Sequence, residues 1–573
     1  MASQQEKTQA TIQAVREVAK AHGILMNPQD EMGYLRVVRA AQESVDFVER
    51  MKDFVHPRLT PLVPVPRAYT LPSPSENPLN AWSHRAHIEA AKLSEGTGLL
   101  VGKTIAIKDS VSVAGVPTTC GTQPFHLCED KPAPIPDIDA PIVSRVLEAG
   151  ALITGTSTCE NYCLSAMSFT SATGPVDNPW FKGYSAGGSS SGSAALIAIN
   201  AINKWRKSRG LVVKGLGEGV DLAIGGDQGG SIRVPAAYCG IYGLKPTHGL
   251  VPYTGIASLL PLIDHCGPMA SSVRDTALLL TVLAGYDGFD PRMTPETPLR
   301  SAVPQYHALL DEHISKRTAA GTWTPQAAAR GLRIGVLKEA FEIAGIDAEV
   351  ASVIRKAASR YTSLGASVAE VSIPLHLIAP HIFTAATRAY AGDTLIFRPE
   401  SATASTLPFP FPGAPAPNPN QTWYDTMTWA NPLVVGGLFS GEFLLDRKRY
   451  PESVRDKAIR HVHELRAAYD RALQDFDVLI MPTMPTVAPR HAPADMGVAE
   501  KAGFVLANTL NTLPFNVTGH PGLSMPVGWG KVEGDGKEKL PVGMQIVGKR
   551  WNERMIFLAA AAWEVGGLGL DEE

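Results

Sequence analysis

Gly187-Gly188-Ser189-Ser190-Ser191-Gly192-Ser193 and, further on, Gly225-Gly226-Asp227-Gln228-Gly229-Gly230-Ser231-Ile232-Arg233 are the two small-residue clusters from which the chain is read outward. Composition alone would make the first a flexible linker. Its flanks disagree. It leads directly into the apolar, helix-like segment Ala194-Ala-Leu-Ile-Ala-Ile199, which would set the serines at a helix N-terminus. The second cluster follows Leu222-Ala-Ile224, which reads as a strand, and its glycines then free the backbone. A loop of this kind is expected to aim the N–H groups of Gln228, Gly229, Gly230 and Ser231 at one oxygen, as an oxyanion hole requires. Together the clusters predict a serine-based acyl-transfer site.

Outward from this stretch, short apolar runs alternate with helical periods. Leu99-Leu-Val101 and Thr104-Ile-Ala-Ile107 read as strands, the second ending at Lys108-Asp109. Residues 139–150 read as a helix with proline in its first turn and glycine at its end, before the strand Ala151-Leu-Ile-Thr154. Strands at 332–337, 476–481 and 542–547, with helices at 347–364 and from Glu553, complete an α/β pattern: a mixed β-sheet covered by helices. In front of it, residues 5–56 look helical. Ile12, Val15, Val18 and Ala19 share one face, and Val45, Val48, Met51 and Val55 form a second apolar set. Seven prolines between Pro57 and Pro78 mark a linker. The expected division is therefore a small N-terminal all-α domain with linker at 1–80 and a catalytic domain at 81–573. The Pro-rich stretch 407–420 reads as a surface loop.

A nucleophilic serine needs a base. Lys108 follows an apolar strand, so its stem would leave the core rather than a solvated face; a lysine withdrawn from water can accept a serine proton. Alone, it would be read as a lysine snorkelling from a strand end. His248, His265 and His520, each near glycine or proline, stay open as alternative bases. Gly183-Tyr-Ser185-Ala-Gly187 and Gly188-Ser-Ser190-Ser-Gly192 both fit a nucleophile elbow, but the preceding 177–183 is a loop and not the strand that motif needs. Cys159 and Cys163 are spaced one helical turn apart with nothing nearby to complete a metal site, so they read as buried thiols. A net charge of −3 without charged blocks excludes a nucleic-acid partner. No apolar run is long enough to span a bilayer. The N-terminus shows no secretory signal and six sparse cysteines give no disulfide framework, so a cytoplasmic protein is expected.

These segments resemble a known family. Ile105-Ala-Ile-Lys108-Asp, Gly187-Gly-Ser189-Ser-Ser-Gly192-Ser, Asp227-Gln-Gly-Gly-Ser231-Ile-Arg233 and Ala236-Ala-Tyr-Cys239-Gly-Ile-Tyr-Gly-Leu-Lys245-Pro246 are similar, in this order, to the amidase signature family. Ser75-Glu-Asn-Pro78-Leu-Asn-Ala-Trp82, Gly249-Leu-Val-Pro-Tyr-Thr-Gly255, Ile263-Asp-His265 and Val517-Thr-Gly-His520-Pro521 look most like its bacterial nitrile-pathway amidases, which carry an N-terminal helical domain used in dimerisation. The resemblance implies a Ser–cis-Ser–Lys triad with Ser231 as nucleophile, Ser189 as proton relay and Lys108 as base. It implies no cofactor and no metal, a small-molecule amide substrate and a homodimer. It sets an apolar substrate wall near Leu164, Ile263 and Phe383. The same triad would also serve a carbamate, anilide or ester hydrolase, or the glutaminase subunit of an amidotransferase. One departure stands out: Ser189 and Ser231 are 42 residues apart, farther than is usual in the family. The excess is the piece from the basic Lys204-Trp-Arg-Lys-Ser-Arg209 to Glu218, read as a surface insertion that could instead cover the pocket mouth.

Overall fold

The computed structural model describes residues 10–52, 54–90, 98–128, 133–213, 215–396, 418–446, 449–532, 538–565 and 567. The chain divides into two units, Met1–Arg58 and Leu59–Glu573. The first holds two helices, Ile12–Ala21 and Glu31–Glu49. Thr11 caps the first by accepting the Ala14 N–H, and Arg16 pairs with Glu31 at 2.6 Å to join the two. The second helix closes early: Arg50 and Met51 donate three residues back, to Phe47 and Val48, so Met51 and Val55 lie beyond it rather than on its apolar face.

The break between units falls 22 residues before the expected boundary at 80, and the proline-rich stretch is not a free linker. Prolines cannot donate to a sheet, but the residues between them are held. The Arg67 guanidinium pairs with buried Asp139 at 2.7 Å, and β1 (Tyr69–Thr70) pairs antiparallel with β2 (Trp82–Ile88).

The larger unit is built on one mixed sheet. Its further strands are β3 (Thr104–Lys108), β4 (Leu152–Ser157), β5 (Leu222–Gly226), β6 (Tyr242–Lys245), β7 (Cys266–Ala270), β8 (Arg333–Leu337), β9 (Ser367–Val371), β10 (Val478–Pro482), β11 (Gly522–Lys531) and β12 (Lys539–Gly548). Among the described residues the spatial order is β1-β2-β4-β3-β5-β7-β6-β11-β12-β10-β8-β9. β3 runs parallel to both β4 and β5, and β8 parallel to β9 and β10; the other pairs are antiparallel. The expected α/β class and most of its strands are present. Leu99-Leu100-Val101 is instead a turn, with Lys103 N–H on the Leu100 carbonyl; only Leu100 is buried, and three apolar residues cannot by themselves separate a strand from a turn.

Side-chain alternation decides what the central strands present. Ile105, Ile107, Leu222 and Ile224 enter the main core, whereas Ala106 and Ala223 face the opposite side, against the helix Ser191–Ser208. Lys108, two residues after Ala106, leaves the sheet on that same side. The helix runs well past Ile199, so the insertion begins inside it, and its 18 residues span about 27 Å. The basic residues therefore sit at the end remote from Ser191. Lys204 pairs with Asp221 at 2.9 Å, and beyond the helix Glu218 pairs with Arg85 on β2 at 2.8 Å. Most of the Pro-rich stretch 407–420 lies outside the described residues; Asn420 caps the helix Gln421–Ala430 by accepting the Trp423 N–H at 2.9 Å.

Candidate active site

Each hydroxyl of the first serine run has its own partner, which a linker would not show. Lys108 Nζ donates to Ser189 Oγ at 2.8 Å, with Lys108 1% and Ser189 0% exposed. Ser190 Oγ bridges the N–H and carbonyl of Gly226, both at 3.2 Å, and ties the helix start to the end of β5. Ser191 Oγ donates to Glu160 at 2.7 Å, and Ser193 meets Ser157 at 2.7 Å. The Gly188–Ser189 peptide is cis. Gly188 has no room for a side chain: a Cβ there would lie 2.6 Å from the Ser165 carbonyl and 2.8 Å from Glu160 Cγ. Ser185 of the first elbow look-alike accepts backbone N–H groups of Ser168 and Gly187 at 3.0 Å, a structural role.

The second cluster is shaped by Asp227. Its carboxylate takes the N–H groups of Gly230 at 2.8 Å and Ile232 at 3.1 Å, Arg233 Nε at 3.0 Å and Nη2 at 2.9 Å, and Asn516 Nδ2 at 2.8 Å. Arg233, fully buried, reaches on to the Thr512 carbonyl and to Gln545 Oε1, both at 2.8 Å. Burial alone would raise the Asp227 carboxyl, but the adjacent Arg233 charge and these hydrogen bonds hold it well below the usual carboxylate range. The four loop N–H groups are thus not equivalent. Gly230 spends its own on Asp227, whereas those of Gln228, Gly229 and Ser231 make no hydrogen bond among the described residues. This narrows the expected oxyanion donors from four to three.

Ser231, partly exposed, opens onto a cavity of about 340 Å³ together with Gln228, Gly229 and Gly230. Leu164, Ile263 and Phe383 line the same cavity. So does Cys163, which the sequence reading took for a buried thiol, and so do residues that it did not single out: a row from the helix Leu375–Leu395, Leu433, and the segment from Val505 to Leu513. No described residue of 204–218 reaches this lining, which sets aside a role in covering its mouth. The histidines go elsewhere. His248 Nε2 meets the Pro261 carbonyl and His265 Nδ1 the Ile263 carbonyl, both at 2.8 Å, while His520 meets Thr518 and Asp470.

Two buried carboxyl groups flank the site. Burial pushes Asp109 and Glu160 each up to about 7, against hydrogen bonds from Thr119 and Ser83 in one case and from Thr170 and Ser191 in the other. Cys159 and Cys163 lie Sγ to Sγ at 3.8 Å, off any regular α-helix, and Cys120 joins them as a third thiol that spacing could not reveal. Hydrogen bonds from Cys120 and Cys159 hold the Cys163 thiol low, while burial pushes those two up.

A family model described as Amidase matches residues 77–203 and 217–557. The chain belongs to the amidase family. The interruption in the match falls within the stretch read as an insertion. This amidase is 38% identical over 505 residues to an enantioselective amidase of Rhodococcus rhodochrous, covering 87% of this chain and 86% of the relative. It is 32% identical over 491 residues to a glutamyl-tRNA(Gln) amidotransferase subunit of Methanosarcina barkeri, covering 84% and 88%. Among solved structures, the peptide amidase of Stenotrophomonas maltophilia matches with a TM-score of 0.57 at 26% identity, over 81% and 82% of the two chains. Amide-bond hydrolysis and the mixed-sheet fold are common ground between this chain and its amidase relatives.

Proposed function

We propose that the amidase hydrolyses a carboxylic acid amide to the acid and ammonia or an amine through an acyl-enzyme on Ser231. The observation that carries this reading is the buried Lys108–Ser189 hydrogen bond at 2.8 Å beside a serine that faces the cavity. Ser231 Oγ attacks the amide carbon, and its proton passes through the Ser189 hydroxyl to Lys108 Nζ as base. The charge on the former carbonyl oxygen meets the N–H groups of Gln228, Gly229 and Ser231. Collapse breaks the carbon–nitrogen bond while Lys108 returns the proton, through Ser189, to the departing nitrogen. Water then attacks the ester, its proton passing through Ser189 to Lys108; collapse breaks the bond to Ser231 Oγ, which takes the proton back through Ser189, and the acid is freed. The acyl group rests on Leu164, Ile263 and Phe383.

The large apolar side chains exposed on the N-terminal unit, among them Val37, Phe47 and Val48, support a homodimer. A cytoplasmic location rests on the sparse cysteines of the sequence. No described helix is long and apolar enough to cross a membrane.

Ammonia release from small aliphatic, aryl and α-substituted amides tests the reading, with wild type and Ser231→Ala in parallel. Release by wild type and its loss in the variant are expected. Release that survives in the variant removes Ser231 as nucleophile, and no release from any amide moves the substrate to carbamates, anilides or esters. Glutamine as sole substrate would mark the amidotransferase-type glutaminase reading instead.

A further inference from the structure

Arg388 sits in the substrate cavity with no partner among the described residues. The helix Leu375–Leu395 turns Pro380, Phe383, Thr384, Thr387 and Arg388 toward the cavity, a spacing that keeps one face in register. The guanidinium lies beside the helix Pro432–Leu445, where a Cβ on Gly437 would meet Arg388 Nη1 at 3.5 Å, an ordinary van der Waals contact. Arg388 is half-buried, and it has no hydrogen bond, ion pair or ring contact among the described residues. Among those residues no aspartate or glutamate lines the cavity, whose walls are otherwise mainly leucine, valine, isoleucine, phenylalanine and threonine. Burial lowers the Arg388 pKa from its ordinary value.

An unpaired guanidinium in such surroundings is costly, and its planar fork of donors has nothing to hold. Other buried arginines among the described residues have their donors taken: Arg233 by Asp227, Arg67 by Asp139, Arg292 by Asp264 and Asp290, and Arg145 by the carbonyls of Leu283, Ala284 and Gly285. A cation kept free on the wall of a binding cavity is instead matched by its ligand, since a few convergent polar groups in an apolar pocket set orientation and selectivity.

We propose that Arg388 is a specificity-determining residue that receives a carboxylate at the far end of the substrate's acyl chain, so that the preferred substrates are monoamides of dicarboxylic acids. This rests on the amide-hydrolase reading above. The chain would lie along the apolar wall, with its amide carbon at Ser231 and its carboxylate on the guanidinium in a two-point contact.

The test compares kcat/KM for succinamate, glutaramate, adipamate and suberamate with that for the neutral butanamide, pentanamide, hexanamide and octanamide. Wild type, Arg388→Met and Arg388→Lys are used as full-length protein. At the best chain length, wild type is expected to favour the carboxylate over its neutral partner. Arg388→Met is expected to lower that preference roughly ten- to a hundredfold, the range set by one charged hydrogen-bonded contact. The loss should fall on KM more than on kcat, because Arg388 does not touch the reacting atoms, and Arg388→Lys should restore part of it. A purely structural role would depress both substrate series together and leave the ratio unmoved. Wild type that prefers the neutral amide at every length, or a ratio unchanged in Arg388→Met, overturns the assignment while leaving amide hydrolysis intact. Hydrolysis of neither series by wild type overturns both. If Arg388→Met does not fold, Arg388→Gln, which keeps polarity and removes the charge, decides: a carboxylate preference at least about tenfold below wild type keeps the assignment, and a smaller change ends it.

Discussion

Replacing Asp227 by asparagine keeps the shape of the side chain and removes its charge, so it isolates what the carboxylate does. Oδ1 accepts from Gly230, Arg233 and Asn516, and Oδ2 from Ile232 and Arg233. Whichever oxygen becomes NH2, at least two of these bonds turn into facing donors, at about 1.5–3 kcal/mol each when one partner is charged. Arg233 meanwhile stays buried without its counter-charge, and breaking a buried pair by removing one member costs about 3–5 kcal/mol. The two routes agree on roughly 3–5 kcal/mol. In either orientation a backbone N–H beside Ser231 loses its acceptor, Gly230 if Oδ1 is replaced and Ile232 if Oδ2 is; displacement of a reacting group by about 1 Å costs on the order of a hundredfold in rate. Asp227→Asn should therefore unfold at a clearly lower urea midpoint and lose about two orders of magnitude in kcat on soluble protein.

The sign with pH follows. A carboxyl held below its unfolded value contributes stability that is full above about pH 4 and lost as pH falls toward its folded value, so the variant should show a flatter acid limb. An unchanged midpoint with kcat within about threefold of wild type would refute the locking role argued from these contacts.

Glu160 should act in the opposite sense. Its carboxyl, raised to about 7 by burial, keeps a proton in the folded protein that the unfolded chain releases near pH 4.5, so its contribution to stability falls as pH rises through that window. Glu160→Gln should remove about 3 kcal/mol of that slope between pH 4 and 8, read as the difference between unfolding midpoints of variant and wild type; parallel profiles would end the assignment. Cys163 is the thiol that opens on the cavity and is held low by its two neighbours, so iodoacetamide should modify it before Cys120 or Cys159 and slow amide hydrolysis. Peptide mass mapping checks the site. Inactivation of Cys163→Ala at the wild-type rate would show that another residue is responsible.

The backbone around the triad was readable because it is punctuated locally. The apolar run ending at Lys108, the glycines after Leu222-Ala-Ile224 and the serines before 194–199 each signal a strand end or helix start within a few residues. What holds the second loop was not, since Arg233 finds Asn516 and Gln545 some 280 to 310 residues away. Part of it was in reach: Asp227 followed three residues later by Gly230 is the spacing at which an aspartate caps a nearby N–H, and it would have withdrawn Gly230 from the oxyanion donors. Arg388 was hidden for another reason. An arginine in a helical period is ordinarily solvated, and only the cavity shows that this face turns inward. The boundary at 80 failed because proline density signals irregular backbone, not absence of contact; Arg67 and Tyr69 are the residues that bind that stretch to the body.

The proposed triad Lys108, Ser189 and Ser231 comes from the first half of the chain, whereas the helix Leu375–Leu395, Leu433 and the segment from Val505 to Leu513, which line the far part of the cavity wall, come from the second. Part of the proposed choice of acyl group is thus encoded apart from the proposed reaction, although Leu164 and Ile263 belong to the earlier stretch. Selection for a new substrate can work on that later stretch while the earlier one is left alone, and a library confined to Pro380, Phe383, Thr384, Thr387, Arg388 and Leu395 would vary selectivity without touching the proposed bond-breaking groups.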